Sequence, residues 1–89
     1  MTTAATATRE ELLAGLAEVL EEVAGTPTEK VVPEATFDAD LDIDSLTMVE
    51  VVVACEERWE VRIPDEALET LRTVGDAIDF ISSGAGAAA

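Results

Sequence analysis

Residues 44–59 read Asp44-Ser45-Leu46-Thr47-Met48-Val49-Glu50-Val51-Val52-Val53-Ala54-Cys55-Glu56-Glu57-Arg58-Trp59, and this stretch decides the fold. Asp44 is a favoured N-cap residue, and its charge suits the positive end of a helix dipole. The spacing predicts a helix that starts at Asp44 or Ser45 and runs to about Trp59. Met48, Val49, Val52, Cys55 and Trp59 fall on one apolar stripe, which we assign to the core. Leu46, Glu50, Val53 and Glu57 form a second stripe that alternates apolar and acidic residues along one face. A purely buried helix has no use for that second stripe, and a purely solvated one has no use for Leu46 and Val53.

Upstream, Thr8-Arg-Glu-Glu11 has the spacing of a capping box and opens a first helix. Leu12, Leu16, Val19 and Val23 follow at helical intervals, widened by Leu13 and Leu20, and Gly25-Thr-Pro27 stops the helix. Gly15 weakens the helix interior. Residues 26–43 form a long connection with Pro27 and Pro33, expected to be held to the core by Val31, Val32, Phe37, Leu41 and Ile43. Loops of this length in a small domain are often functional. A strand at 30–32 is argued against by its shortness and by Pro33.

Downstream, Val61 and Ile63 pack through an extended segment, and Pro64-Asp-Glu66 starts a short third helix to about Leu71. Thr73-Val-Gly-Asp76 caps a fourth helix to about Ser82, with Val74, Ala77, Ile78 and Ile81 inward. The fold class expected is all-α: a four-helix bundle with a long first loop and a short third helix. Residues 1–7 and the Gly/Ala tail 83–89 read as flexible ends of a single domain spanning 8–82.

The chain has 89 residues, and 20 acidic residues against 5 basic ones give a net charge of −15. With 48% apolar residues it has enough hydrophobic material to fold. A domain this small buries only about 60% of its unfolded surface, so its core is marginal. The charge repels nucleic acid and anionic lipid, and it steers basic protein patches inward. One cysteine excludes an internal disulfide, no apolar run is long enough to span a membrane, and the first residues lack the pattern of a secretory signal. These features lead us to expect a cytoplasmic protein.

Ser45 stands at the mouth of the second helix, behind the acidic run Asp38-Ala-Asp40-Leu-Asp42-Ile-Asp44. As a nucleophile it would need a general base, yet the chain has no histidine and its single lysine, Lys30, is in the loop. We therefore expect no catalytic residue and no enzyme. Asp38, Asp40, Asp42 and Asp44 match alternate ligand positions of a calcium loop. Ile43 stands where that loop needs glycine, and Val49 stands where it needs glutamate, so no dedicated metal site is expected. A serine exposed among carboxylates suits modification by another protein.

Asp44-Ser45-Leu46 followed by Met48-Val-Glu50 resembles the attachment motif of acyl carrier proteins. Glu56-Glu57, Val61-Arg-Ile-Pro-Asp-Glu66, Leu71-Arg-Thr-Val-Gly-Asp76 and Ile78 recur in the same order, so the resemblance covers about residues 9–82. It looks most like the discrete carrier of a bacterial type II fatty acid synthase, in its actinobacterial version. Many carriers have Asp-Ser-Leu-Asp, whereas here Thr47 follows Leu46 and removes one charge near the attachment point.

The resemblance implies covalent 4′-phosphopantetheine on Ser45, flanked by Asp44 and Leu46 and transferred from coenzyme A by a phosphopantetheinyl transferase. Growing acyl chains would be held as thioesters on that arm. Asp44 opposes the phosphodiester electrostatically and is expected to serve the transferase or its metal. Leu46, Val49, Glu50, Val53, Glu56 and Glu57 would meet partners: the malonyl transferase, ketosynthases, reductases and dehydratase of fatty acid synthesis. Phe37, Leu41, Met48 and Val52, with Ile63, Ala67, Leu68 and Leu71, are candidates to line an acyl cavity. Cys55 is a small core residue rather than the acyl thiol. The carrier would act as a monomer, without nucleic acid and without inserting into a membrane. Two alternatives stay open: a carrier of a polyketide or other secondary-metabolite pathway, and a non-carrier acidic docking module.

Folding gathers Asp38, Asp40, Asp42, Asp44, Glu50, Glu56, Glu57 and Glu60 against Arg58 alone within residues 38–60. Relief of that repulsion is expected to raise the melting temperature on mild acidification or on adding Mg²⁺. Melts with and without Mg²⁺ at matched ionic strength check this, and an unchanged midpoint rejects the crowded-carboxylate picture.

Overall fold

Capping at Thr8 fixes where the first helix begins. In the computed structural model, whose described residues are 8–82, the Glu11 N–H donates to Thr8 Oγ1 at 3.1 Å. The Thr8 N–H donates in return to Glu11 Oε1 at 3.0 Å. The helix so opened, α1 (Arg9–Ala24), ends at Gly25 in the left-handed region (φ 70°), whose N–H reaches back to the Glu21 carbonyl at 3.0 Å. The other helices are α2 (Ser45–Trp59), α3 (Asp65–Leu68) and α4 (Val74–Ser82). The expected flexible ends, 1–7 and 83–89, lie outside the described residues.

The expected all-α bundle is what the chain forms. The long first loop contains a 3₁₀ turn at Thr28–Lys30 and no strand. Its extended pairing is a single antiparallel bridge between Thr36 and Thr73. α1 packs against both α2 and α4. The largest fully buried side chains are Leu12, Leu16 and Leu20 of α1, Val51 of α2, and Val74, Ile78 and Ile81 of α4. Val61, Ile63 and the inward residues of α4 are buried as expected.

Three details differ from the sequence reading. Val49 is 50% exposed, and Val51, which the stripe omitted, is 1% exposed. The buried face of α2 is centred on Val51, Val52 and Cys55, and Val49 lies at its edge. Val32 is 43% exposed, and Ala35 takes the buried place in the loop. α3 stops at Leu68 rather than Leu71, because the Thr70 N–H and the Leu71 N–H bond three residues back to Ala67 and Leu68. The Thr70 hydroxyl also donates to the Ala67 carbonyl at 2.8 Å, a local bond that competes with helix continuation. α2 ends at Trp59 as expected, followed by Glu60, a non-glycine residue at φ 53°.

Thr73 and Asp76 cap α4 as their spacing predicts. Thr73 Oγ1 accepts the Asp76 N–H at 3.1 Å, and Asp76 Oδ2 accepts the Thr73 N–H at 3.1 Å. The first loop completes this helix end from a distance. The Val74 N–H donates to the Ala35 carbonyl and the Gly75 N–H to the Pro33 carbonyl, both at 2.9 Å. The Phe37 N–H donates to the Arg72 carbonyl at 3.0 Å. A helix start leaves several N–H groups without partners, and here loop carbonyls fill them.

Gly15 has a packing purpose. A Cβ built there would lie 2.5 Å from Cζ2 of buried Trp59, so α1 and the end of α2 approach through the missing side chain. Two exposed ion pairs join the helices on the outside, Arg58 to Glu18 at 2.6 Å and Arg9 to Asp79. Exposed pairs contribute little, at most about 1 kcal/mol. Gly15→Ala gains helix propensity of about 1 kcal/mol, whereas overpacking a rigid ring costs about 1–3 kcal/mol. We expect a net loss of stability, read as a lower midpoint in urea unfolding. A midpoint at or above that of the wild type contradicts the Gly15–Trp59 packing.

Candidate functional site

Ser45 is the first residue of α2 and is exposed. Asp44 precedes it in extended conformation and caps the helix, with Oδ1 accepting the Thr47 N–H at 2.8 Å. The Asp44 carbonyl accepts the Met48 N–H at 2.9 Å. The chain reaches Asp44 through a tight turn: the Leu41 N–H donates to the Thr36 carbonyl at 3.0 Å, the Ile43 N–H to the Phe37 carbonyl at 2.8 Å, and Asp42 takes φ 55°. The apolar side chains of Phe37, Leu41 and Ile43 are buried and the acidic ones between them are exposed, which turns Ser45 outward on a rigid base.

A cleft of about 270 Å³ opens beside Ser45. Phe37, Met48, Leu68 and Leu71, four of the expected acyl-pocket residues, line it together with Ile43. Asp38, Asp44 and Arg72 give it a charged rim. Val52, Ile63 and again Leu68 line a second cleft of about 360 Å³, shared with Val49, Val53, Glu56, Arg62, Pro64 and Asp65. Leu41 and Ala67 are buried in the core and line neither of these two clefts. Leu68, the last residue of α3, lines both clefts. Ile43 and Arg72 were missed as cleft residues. The apolar run-in to Ser45 pointed to Ile43, but no local pattern pointed to Arg72, which reaches the cleft from the loop after α3.

The outer stripe of α2 lies open as its pattern requires. Leu46 is 72% and Val53 46% exposed, Val49 joins them, and Glu50 and Glu57 are exposed alongside. Glu56 is half-buried, and its Oε2 accepts the Ile63 N–H at 2.8 Å, so it also ties the segment after α2 to the helix. Trp59 is buried, with the Arg58 guanidinium carbon 5.6 Å from its ring centre. Cys55 is buried too, and that burial pushes its thiol up to about 12, so it stays protonated and inert at neutral pH.

The carboxylates do not assemble into a metal site: among the described residues no group of three ligating side chains converges. Asp38 Oδ1 accepts the Ala39 N–H at 2.7 Å, and Asp40 Oδ2 accepts the Thr36 N–H at 2.8 Å, so both serve their own loop.

A family model described as a phosphopantetheine attachment site matches residues 14–81. The chain belongs to the acyl carrier protein family. It is 60% identical over 75 residues to the acyl carrier protein of Acidothermus cellulolyticus, covering 84% of this chain and 89% of that protein. The acyl carrier protein of Kineococcus radiotolerans is 51% identical over 80 residues, covering 90% and 99%. The meromycolate extension acyl carrier protein of Mycolicibacterium smegmatis is 56% identical over 75 residues, covering 84% and 76%. Among solved structures, the acyl carrier protein from Enterococcus faecalis superposes with a TM-score of 0.72 at 32% identity, covering 88% of this chain and 99% of that one.

An acyl carrier protein of this kind carries acyl chains on phosphopantetheine and is not an enzyme. Family membership implies contact with a phosphopantetheinyl transferase and with fatty acid synthesis enzymes. No helix among the described residues is long and apolar enough to cross a membrane.

The crowding expected to favour protonation is reversed at Asp44. The Thr47 N–H, reinforced by the Thr47 hydroxyl, stabilises the charged form and holds the Asp44 carboxyl below its ordinary 3.8. A depressed folded value means the cap's contribution is present above 3.8 and is lost as pH falls through the folded value. Asp44→Ala is expected to lower the melting temperature at neutral pH and flatten the acid limb below 3.8. Asp44→Asn, which keeps the cap acceptor, is expected to hold the neutral melting temperature while also flattening that limb. An acid limb as steep in both variants as in the wild type contradicts the capping role.

Proposed function

We propose that Ser45 is the residue that bears 4′-phosphopantetheine, and that the protein presents growing acyl chains to the enzymes of a cytoplasmic type II fatty acid synthase as a monomer. The observation that carries the reading is the position of Ser45. Its hydroxyl is exposed at the start of α2, on a rigid turn, at the rim of an apolar cleft.

The residues present fit the group. Ser45 Oγ can attack the phosphorus that bears the pantetheine arm of coenzyme A. The new P–O bond forms as the pyrophosphate bond breaks, adenosine 3′,5′-bisphosphate leaves, and the hydroxyl proton passes to a base. The chain has no histidine, and Lys30 is in the 3₁₀ turn, so the activating base comes from the transferase. Asp44 serves the domain as a cap and lies beside the reacting hydroxyl, where the transferase must meet it. When bound, the arm's terminal thiol supplies the thioester chemistry. Phe37, Ile43, Met48, Leu68 and Leu71 give the start of an acyl chain an apolar wall. The cleft is slightly smaller than the roughly 300–1,000 Å³ of ligand pockets, so longer chains require the core to part.

Leu46, Val49 and Val53 offer apolar contact on the open face of α2, and Glu50 and Glu57, with Glu56 at the edge, offer charge to Lys and Arg of a malonyl transferase, ketosynthase, reductase or dehydratase. Such charges set encounter rate and orientation more than affinity, which suits a carrier that must leave each enzyme quickly. The similarity to a protein named for meromycolate extension favours, as a second reading, a carrier serving the extension of long acyl chains.

Intact mass after incubation with coenzyme A and a broad-specificity phosphopantetheinyl transferase tests the attachment. We expect a gain of one phosphopantetheinyl group in the wild type and none in Ser45→Ala. An equal gain in both proteins, or none in folded and unmodified wild type, overturns the assignment.

A further inference from the structure

The five basic residues occupy separate places. Arg9 pairs with Asp79 and Arg58 with Glu18, Lys30 is in the 3₁₀ turn, and Arg62 lines the second cleft. Arg72 lines the cleft at Ser45 and is the one basic side chain there among the described residues. Its backbone is fixed on both sides: its N–H donates to Asp76 Oδ2 at 3.2 Å, and its carbonyl accepts the Phe37 N–H at 3.0 Å. Its guanidinium enters no ion pair among the described residues, although acidic side chains outnumber basic ones four to one in the chain.

A phosphodiester on Ser45 would enter an unfavourable field. Asp44 and Asp38 line the same cleft. The start of a helix ordinarily offers free N–H groups to an anion, but the Thr47 N–H is already taken by Asp44. The local balance therefore calls for a cation, and Arg72, exposed and on the lining of the cleft, is the basic residue that the fold supplies there.

We infer that Arg72 holds the phosphodiester of the prosthetic arm, an assignment that rests on the attachment at Ser45 proposed above. Its planar fork donates to two phosphate oxygens, a geometry that a lysine ammonium reproduces only as a point charge. Because Arg72 enters from the loop after α3, this contact bridges the cleft from α2 to that loop. It lays the arm against Met48 and Leu68 instead of releasing it into solvent. The acidic exterior remains free for enzymes, while one buttressed cation offsets the charge that modification adds.

The test uses wild type, Arg72→Gln, Arg72→Lys and Arg62→Gln, each loaded with phosphopantetheine and checked by intact mass. Two quantities are read: the phosphorus NMR position of the phosphodiester, and the melting temperature of the loaded form relative to the unloaded form. We expect Arg72→Gln to move the phosphorus resonance toward that of a phosphopantetheinylated serine peptide and to lower the loaded form relative to the unloaded one. Arg62→Gln should change neither, and Arg72→Lys should fall between. Added salt should move the wild-type resonance in the direction of Arg72→Gln, a readout that holds even if a variant folds poorly. Loaded Arg72→Gln that superimposes on wild type, or a wild-type resonance indifferent to salt, overturns the assignment to Arg72 alone. Failure of wild type to load at Ser45 overturns the attachment and this inference with it.

Discussion

The docking of the first loop onto the start of α4 is the constraint on which the site depends. Three backbone bonds, from Val74 to Ala35, from Gly75 to Pro33 and from Phe37 to Arg72, join segments nearly forty residues apart. Each satisfies a main-chain group that would otherwise need water or a side chain. Together they convert a long connection with two prolines into a fixed wall. Phe37 and Arg72, which exchange one of these bonds, both line the cleft at Ser45. A Cβ at Gly75 would lie 3.0 Å from the Pro33 carbonyl oxygen, so the close approach of loop and helix also needs a small residue there.

Charge is distributed by task. Asp38 and Asp40 fasten their own loop, Asp44 caps α2, Glu56 ties down Ile63, and Asp76 caps α4. These carboxylates accept backbone N–H bonds and so belong to the fold. Glu50 and Glu57 are exposed beside Leu46, Val49 and Val53, on the face proposed above to meet enzymes. An interface built from a few aliphatic contacts and exposed charges favours fast encounter over long residence. That balance is what a shuttle requires.

Close packing and clefts are divided between two halves of the core. α1, the end of α2 and α4 interlock through leucines, isoleucines and the Gly15–Trp59 contact. The half around α3 is held more lightly: a four-residue helix, two clefts, and Leu68 shared between them. Under the function proposed above, the apolar side chains of this half, Met48, Leu68 and Leu71 among them, are the ones that would part for an acyl chain.

Local pattern was enough to place both capping boxes, the cap at Asp44, the glycine stop at Gly25, and the inward faces of α1 and α4. Each of these depends on contacts within one turn of helix, and the spacing of residues records such contacts directly. The motif that resembles a phosphopantetheine attachment site is likewise contiguous, so the sequence by itself marks Ser45 as the candidate. Tertiary structure alone decided which edge of α2 faces inward, because Val49 and Val51 are equally apolar and their neighbours in space choose between them. It decided that Val32 turns out while Ala35 turns in, that α3 stops early, and that Gly15 makes room for Trp59. It also brought Arg72 to Ser45 across 27 positions of sequence. A residue placed by long-range backbone bonds leaves no periodic trace in its own neighbourhood, and its position follows from the packing of the whole chain.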